Sequence, residues 1–203
     1  THITFDNYAN GWKGFAGITF GVFLKNSLFI AIVATFGTLM SSAFVAYSFS
    51  RCKKFNLRGI LFAAMLASMM LPGQILMVPQ YLWYKKLGWV GSYLPLIVPF
   101  FFAVQGYFVY LMMNFIEGIP TDLDEAAKID GCSYYSIFFR IIFPLMRPAL
   151  VTGGIFSFMW RWDDFMSALL YVNKAAQYPV SLALKLFADP GSTSDYGAMF
   201  AMA

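Results

Sequence analysis

Charged, thiol and imidazole side chains are scarce in this sequence. Of its 203 residues, 12% are charged, two are cysteines and one is a histidine. The single histidine is His2, and no cluster of ligands surrounds either cysteine in the sequence, so we expect no metal centre. There is also no glycine-rich loop ending in Lys-Ser or Lys-Thr, the pattern that cradles nucleotide phosphates. We therefore predict no catalytic residue, no cofactor and no nucleotide hydrolysis by this chain.

Apolar side chains are correspondingly abundant. Hydrophobic residues make up 60% of the chain and aromatic residues 20%, and the mean hydropathy is +0.64. A water-soluble domain of this length has too little interior to bury so much apolar surface. Segments of about 20 apolar residues, the length that crosses the hydrocarbon core of a bilayer, lie near 24–48, 59–80, 93–115 and 145–170.

These segments predict an all-α integral membrane protein, with residues 1–203 forming a single transmembrane domain. A fifth apolar segment begins near Tyr196 and is cut at Ala203, which makes about five transmembrane helices. Because the chain also starts at Thr1 rather than Met, we expect it to be a fragment.

The basic residues predict which linkers face the cytoplasm. When the helices alternate across the membrane, the linkers 49–58 and 116–144 fall on the same side. Most of the basic residues in linkers lie in or near these two, and cytoplasmic linkers are typically basic, although Lys85 and Lys86 are exceptions. The seven residues are Arg51, Lys53, Lys54, Arg58, Lys128, Arg140 and Arg147.

This orientation places residues 1–22 and the linker 171–195 outside the cell. Cys52 and Cys132 fall in the two cytoplasmic linkers, where thiols stay reduced, so we expect no disulfide. The net charge of +4 is too diffuse to indicate nucleic acid binding.

The linker 116–144 is a short polar segment between long apolar ones, and it predicts two short helices at the membrane surface. Thr121 is a candidate cap for the first helix, with Asp124 as its reciprocal capping partner. Gly131 can adopt the left-handed conformation that ends a helix, and Ser133 is a candidate cap for a second helix that runs to about Ile142. From the residues alone, we favour a plain interfacial connector over a docking element, because such connectors are common in proteins with several membrane spans.

A family resemblance favours docking. The linker contains Glu125-Ala126-Ala127, three further residues and Gly131, then Phe139-Arg140-Ile141-Ile142-Phe143-Pro144-Leu145 and Pro148. This pattern resembles the EAA motif of binding-protein-dependent ABC importer permeases. Further matches follow one another in order over roughly residues 23–200. They resemble the carbohydrate-uptake branch of this family, in particular the second permease of maltose-type transporters. The further matches are Lys25-Asn26-Ser27, Ala46-Tyr47, Arg51, Leu71-Pro72-Gly73-Gln74, Val78-Pro79, Lys86-Leu87-Gly88 and Trp162-Asp163-Asp164-Phe165.

The resemblance implies a type I ABC importer permease fold in a bacterial or archaeal inner membrane. The implied partners are a dimer of ATP-binding cassette subunits, a second permease subunit, an extracytoplasmic solute-binding protein and membrane lipid. The implied function is uptake of a sugar or oligosaccharide, with ATP hydrolysis in the separate subunit. The residues implied to couple to the ATPase are Asp124, Glu125, Ala126, Ala127, Asp130 and Gly131. The linker 171–195 is implied to contact the solute-binding protein.

One motif departs from the family pattern. Asp163 stands where the family usually has Asn, and Arg161 lies just before it. Charges within a membrane segment are costly and usually face a partner or a cavity. We consider two alternatives: a local Arg161–Asp163/Asp164 network, or a substrate pathway in which Trp162, Asp163 and Asp164 take part, since carboxylates accept several hydrogen bonds from sugar hydroxyls.

Two functions outside sugar import remain open from the sequence. One is an ABC importer permease for a non-sugar solute. The other is a secondary transporter whose coupling charges are Arg161, Asp163 and Asp164, although a self-contained carrier has no need of a docking segment.

Overall fold

The computed structural model describes residues 6–14, 17–52, 56–187 and 196–202, and most of these residues are helical. Lys53 and Lys54 of the first cytoplasmic linker, and 188–195 of the outward linker, lie outside the described residues. The α-helices are α1 (Asp6–Lys13), α2 (Phe20–Arg51), α3 (Arg58–Met70), α4 (Gly73–Lys86), α5 (Leu94–Ile97), α6 (Gly106–Glu117), α7 (Asp122–Ile129), α8 (Tyr134–Ile137), α9 (Phe143–Leu145), α10 (Arg147–Trp162), α11 (Phe165–Tyr171), α12 (Val180–Phe187) and α13 (Tyr196–Met202). Short 3₁₀ helices cover Val98–Phe102 and Ala175–Gln177, and a π-helix covers Phe138–Ile142.

The described helices include segments long and apolar enough to cross a membrane, as the sequence predicts. Phe20–Arg51 and Leu94–Glu117 each meet this criterion, and two further pairs, α3 with α4 and Tyr134–Leu145 with α10, meet it together. Each pair is bent by more than 40° at a short break. The prediction of an all-α membrane fold is confirmed, but the segments 59–80 and 145–170 are not single straight helices.

The first of these breaks has a local cause. Pro72 follows α3 and has no backbone N–H to continue the helix. The segment 145–170 contains a further break, because α10 ends at Trp162 and α11 begins at Phe165. Asp163 and Asp164 therefore lie in a break between two helices, not within one helix as predicted.

The chain forms two compact units, each built from separate stretches of sequence. The first comprises Thr1–Val33, Val78–Ile97 and Phe158–Ala203. One of its buried clusters contains Ile30, Leu96, Tyr171 and Val172. Within this unit, the N–H of Val180 donates to Oγ of Ser27 at 2.8 Å.

The outward linker contains more regular structure than the sequence predicts. Helix α12 lies inside the segment 171–195 that we expected to be a loop. Val180, Leu182 and Ala183 of this helix are buried, which stabilises an amphipathic helix in place of an irregular loop. The Asn26 amide also donates to the carbonyls of Ala176 and Tyr178, at 2.9 and 3.1 Å.

The second unit comprises Ala34–Met77 and Val98–Ser157 and contains the whole predicted two-helix segment. Its buried cluster brings together the C-terminal half of α2, helix α6, helix α7 and the helical run that starts with α8. The buried members are Ala43, Ala46, Tyr47, Val109, Met112, Met113, Ile116, Ile119, Ala127, Ile137, Phe138, Ile142 and Met146.

Candidate functional site

The first helix of the candidate site, α7, begins differently from the prediction. Thr121 occupies the cap position, but its side chain makes no capping hydrogen bond. Its backbone carbonyl instead accepts from the N–H groups of Asp124 and Glu125, at 2.9 and 3.1 Å. Asp124 is not a capping partner either, because its side chain is buried against α2. The acidic first turn still complements the positive end of the helix dipole.

Helix α7 ends at a glycine turn, as the sequence predicts. Gly131 has φ +78, in the left-handed region. Its N–H donates to the carbonyl of Lys128 at 3.0 Å, and the N–H of Cys132 donates to the carbonyl of Ala127 at 2.9 Å. This pair of bonds is the Schellman motif, which satisfies the last carbonyls of a helix.

The second helix starts at the predicted cap and runs further than predicted. The hydroxyl of Ser133 accepts from the N–H of Ser136 at 3.3 Å. The run continues through a π turn, in which the N–H of Phe143 donates to the carbonyl of Phe138, and ends at Leu145. Pro144 thus lies inside the helical run. Proline has no N–H to donate, and the π turn just before it is a local adjustment of the helix that tolerates this loss. Pro148 lies in the first turn of α10, where a helix N–H has no partner to lose.

The six predicted coupling residues divide between two faces of this segment. Asp124 and Ala127 are buried, with 4% and 5% of their surface exposed. The exposed members are Glu125, Ala126, Asp130 and Gly131. The helical spacing of Leu123, Ala126, Ala127 and Asp130 predicts that they share one side of the helix, but Ala127 is buried and the other three are exposed.

A buried ion pair fixes the inner face of α7. Nε of Arg51 lies 2.6 Å from Oδ2 of Asp124, although its N–H is not aimed along a hydrogen-bond direction. The side chains of the two residues are 9% and 5% exposed. Nη2 of Arg51 also donates to the carbonyl of Ile119 at 2.8 Å. The sequence placed Arg51 at the end of the first span without indicating this partner.

Large apolar side chains are exposed near the exposed acids Glu125 and Asp130. Leu123 is 42% exposed, Ile129 87%, Tyr134 60% and Tyr135 74%. Nζ of Lys128 lies 5.4 Å from the centroid of the Tyr134 ring, a distance typical of a cation–π contact. We define these four apolar residues with Glu125, Ala126 and Asp130 as the outer face. An exposed apolar patch rimmed by charge is typical of a surface that contacts another protein or a membrane.

The second predicted site lies in the other unit, at the break between α10 and α11. Oδ1 of Asp164 accepts from the N–H of Ser167 at 3.1 Å and so caps α11. Its Oδ2 lies 3.3 Å from Nη1 of Arg161. Asp163 is exposed, and Trp162 stacks on Phe158 with ring centroids 5.7 Å apart. Of the two carboxylates, Asp164 is therefore the one held in local structure.

The cavity beside this ion pair is small. It measures about 10 Å³ and is lined by Ser27, Arg161, Asp164 and Pro179, among others. A cavity of this size holds about one water molecule. Elsewhere, no group of three or more His, Cys, Asp or Glu side chains is placed to hold a metal ion within the described ranges.

Comparison with known proteins assigns the chain to a family. Residues 42–203 match the model of the binding-protein-dependent transport system inner membrane component. The chain belongs to this permease family. The match includes α7, the Gly131 turn and the second helical run.

Several curated relatives of this permease are named as sugar transport proteins. It is 33% identical over 159 residues to the polygalacturonan/rhamnogalacturonan transport system permease protein YtcP of Bacillus subtilis, covering 78% of this chain and 54% of YtcP. It is 30% identical over 204 residues to the arabinooligosaccharides transport system permease protein AraQ of the same species, covering 98% of this chain and 71% of AraQ.

A relative from an archaeon and a solved structure extend these matches. The permease is 33% identical to the probable ABC transporter permease protein PH1036 of Pyrococcus horikoshii, covering 91% of this chain and 66% of the relative. Its fold matches a bacterial ABC transporter involved in the import of the acidic polysaccharide alginate, with a TM-score of 0.86 and 21% identity, over 100% of this chain and 75% of the other. The type I permease fold is thereby confirmed, and the chain spans about half to two thirds of the length of the first curated relatives it matches.

Proposed function

We propose that this permease is the transmembrane subunit of an ATP-driven importer that takes up a sugar or oligosaccharide delivered by an extracytoplasmic solute-binding protein. The proposed partners are a dimer of ATP-binding cassette subunits, a second permease subunit that makes a heterodimer, and the lipid of a bacterial or archaeal inner membrane. Nucleotide hydrolysis belongs to the ATP-binding subunits.

The observation that carries the proposal is the outer face of the two-helix segment. It combines the exposed acids Glu125 and Asp130 with exposed Ile129 and Tyr135. Ala126 follows Glu125 and is also exposed. Its side chain is only a methyl group, so a partner backbone can approach α7 closely. Desolvated apolar and aromatic side chains supply most of the affinity at protein interfaces, while charges at the rim set specificity. This face suits an ATPase subunit on the cytoplasmic side.

The backbone around Gly131 supports the same role. The Schellman motif fixes the angle at which the second helical run leaves α7. Two helices held at a fixed angle move together as a rigid body when a partner displaces one of them. A flexible linker in the same place would change its own conformation instead.

The sugar class is supported by the relatives. YtcP, AraQ and the alginate importer are each named for a carbohydrate. We propose that Asp163 faces the substrate pathway together with Trp162, since an exposed carboxylate and a flat indole suit sugar hydroxyls and ring faces. We propose that Asp164 supports this site by capping α11 and pairing with Arg161.

The test is reconstitution in vesicles. The permease, its partner permease and the ATPase are purified together, and uptake of a panel of labelled oligosaccharides and of amino acids is measured with and without ATP and the binding protein. We expect uptake of one sugar class that requires both. Uptake of amino acids but no sugar would support an importer of another solute. Uptake driven by an ion gradient without ATP would support a secondary transporter.

A further inference from the structure

The buried ion pair of the candidate site connects two helices and the linker that leads into the second of them. Arg51 is the last residue of α2, and Asp124 lies in the first turn of α7. The contact from Arg51 to the carbonyl of Ile119 reaches the linker between α6 and α7. One guanidinium therefore contacts both the chain that enters α7 and a carboxylate of α7 itself.

Each charge of this pair depends on the other. Burial removes water from both groups, and only their mutual attraction and their hydrogen bonds offset that loss. For Asp124 the dependence is strong, because no donor in the described part of the chain makes a well-formed hydrogen bond to its carboxylate. Salt screens a buried pair much less than an exposed one. Removal of either partner therefore leaves an uncompensated buried charge between α7 and α2, which is strongly destabilising.

The other charges of α7 have a different environment. Asp122, Glu125 and Lys128 are exposed, as is Asp130 directly after the helix, whereas Asp124 is 4% exposed and faces inward. Ala127, one turn further along the inner face, belongs to the same buried cluster as Ala46 of α2. A partner protein that docks on the outer face does not reach Asp124 without displacing α7.

We propose that the Arg51–Asp124 ion pair is the joint through which displacement of α7 is transmitted to α2. Both are positioning residues, and Asp124 acts on α2 and not on the ATPase. The inference rests on the proposed function, because it presumes that an ATPase moves α7. It goes beyond that function because it gives the acids of the segment two different roles. Asp124 contacts α2, whereas Glu125 and Asp130 face the partner.

The first test needs the permease complex but no substrate or ATP. Cys52 follows Arg51 directly, Cys132 follows the Gly131 turn, and the chain has two cysteines. A nitroxide spin label on each thiol reports the spread of distances between the end of α2 and the end of α7. We expect a narrow distribution in the unaltered chain, a broad one in Arg51→Gln and in Asp124→Asn, and a narrower one again when Arg51→Asp and Asp124→Arg are combined.

The second test measures coupling in the assembled transporter. The readout is the stimulation of ATP hydrolysis by the binding protein, a signal that passes from the spans to the ATPase. We expect Arg51→Gln and Asp124→Asn each to keep the ATPase through purification but to lose stimulation, by about tenfold, the usual size of a coupling effect. Arg51→Lys should keep most of it, and Glu117→Gln, which removes an exposed acid at the end of α6, should keep all of it.

Several results would overturn the proposal that the Arg51–Asp124 ion pair transmits displacement of α7 to α2. One is a distance distribution that stays narrow in both single variants. Another is an Asp124→Asn variant that loses the ATPase while Arg51→Gln keeps it, since Asp124 would then be a docking residue. If the single variants do not accumulate, the combined exchange decides, and an exchange no better than either single change rejects the pair. If the unaltered complex holds no ATPase at all, the proposed function itself fails, and that result appears without any variant.

Discussion

At the scale of single residues, the backbone of Gly131 is the most demanding feature of the candidate site. Its φ of +78 lies where side chains other than glycine are strained, and a Cβ built there meets nothing within 4 Å. The cost of a substitution is therefore conformational and not steric. We expect Gly131→Val to cost about 1–2 kcal/mol locally and to lower ATP-coupled uptake while membrane insertion stays normal.

Gly131→Asn is the matched control, because asparagine tolerates the left-handed conformation better than a β-branched residue does. It should retain most of the uptake, measured against the amount of permease in the membrane. Equal loss in both variants, or no loss in either, would show that the turn conformation is not what coupling requires.

Substitutions on the outer face should weaken binding of the ATPase. Glu125→Lys reverses an exposed charge and Ile129→Asp removes an apolar contact, so each should reduce the amount of ATPase that co-purifies with the permease. Ile129→Val, which keeps an apolar side chain, should have little effect. Full ATPase recovery with both Glu125→Lys and Ile129→Asp would place the docking surface elsewhere.

The two adjacent carboxylates predict different outcomes. Asp164→Ala removes the cap of α11, worth about 1 kcal/mol, and the partner of Arg161, so uptake of every substrate should fall together with the yield of folded complex. Asp163→Asn changes an exposed side chain and should alter uptake of one sugar relative to another at normal yield. Unchanged preference across the sugar panel in Asp163→Asn would reject its place in the substrate pathway.

At the scale of helices, part of the local capping and turn chemistry was predictable, whereas distant pairing was not. The Gly131 turn and the Ser133 cap follow from residues a few positions apart, so the sequence predicts both correctly. Arg51 and Asp124 are far apart in sequence, and their contact depends on how α2 and α7 pack. No periodicity within either segment reports that packing.

The break at Asp163 and Asp164 is a further case in which composition misled. The apolar content of 145–170 predicts one helix, and hydropathy treats the two acids as small interruptions. The Asp164 carboxylate instead caps a new helix, a local competition that hydropathy does not measure. Helix α12 was missed for a related reason, because Val180, Leu182 and Ala183 form too short an apolar stripe to stand out in a mixed linker.

The placement of helices in the membrane makes its own prediction. If the linkers 49–58 and 116–144 are cytoplasmic, an impermeant thiol reagent applied to intact cells should label neither Cys52 nor Cys132. After permeabilisation both should react, Cys52 faster, since it is exposed and Cys132 is partly buried. Labelling of Cys132 from outside would reverse the orientation and remove the outer face from the ATPase.

At the scale of the molecule, the chain combines the fold of its family with one charged segment. The apolar helices place the chain in a membrane, and the two-helix segment supplies a rigid polar surface beside them. A nucleotide-binding loop is absent from the sequence. We propose that the energy for transport comes from a partner ATPase, and that the outer face is the surface that receives it.

The most direct measurement of this claim is sugar uptake into vesicles that contain the purified complex, with ATP supplied on the side of the ATPase and the ion gradients dissipated by an ionophore. We predict that uptake proceeds with ATP and the binding protein, and that Glu125→Lys abolishes it without removing the permease from the vesicles. Uptake that persists without ATP, or that the ionophore stops, would contradict it.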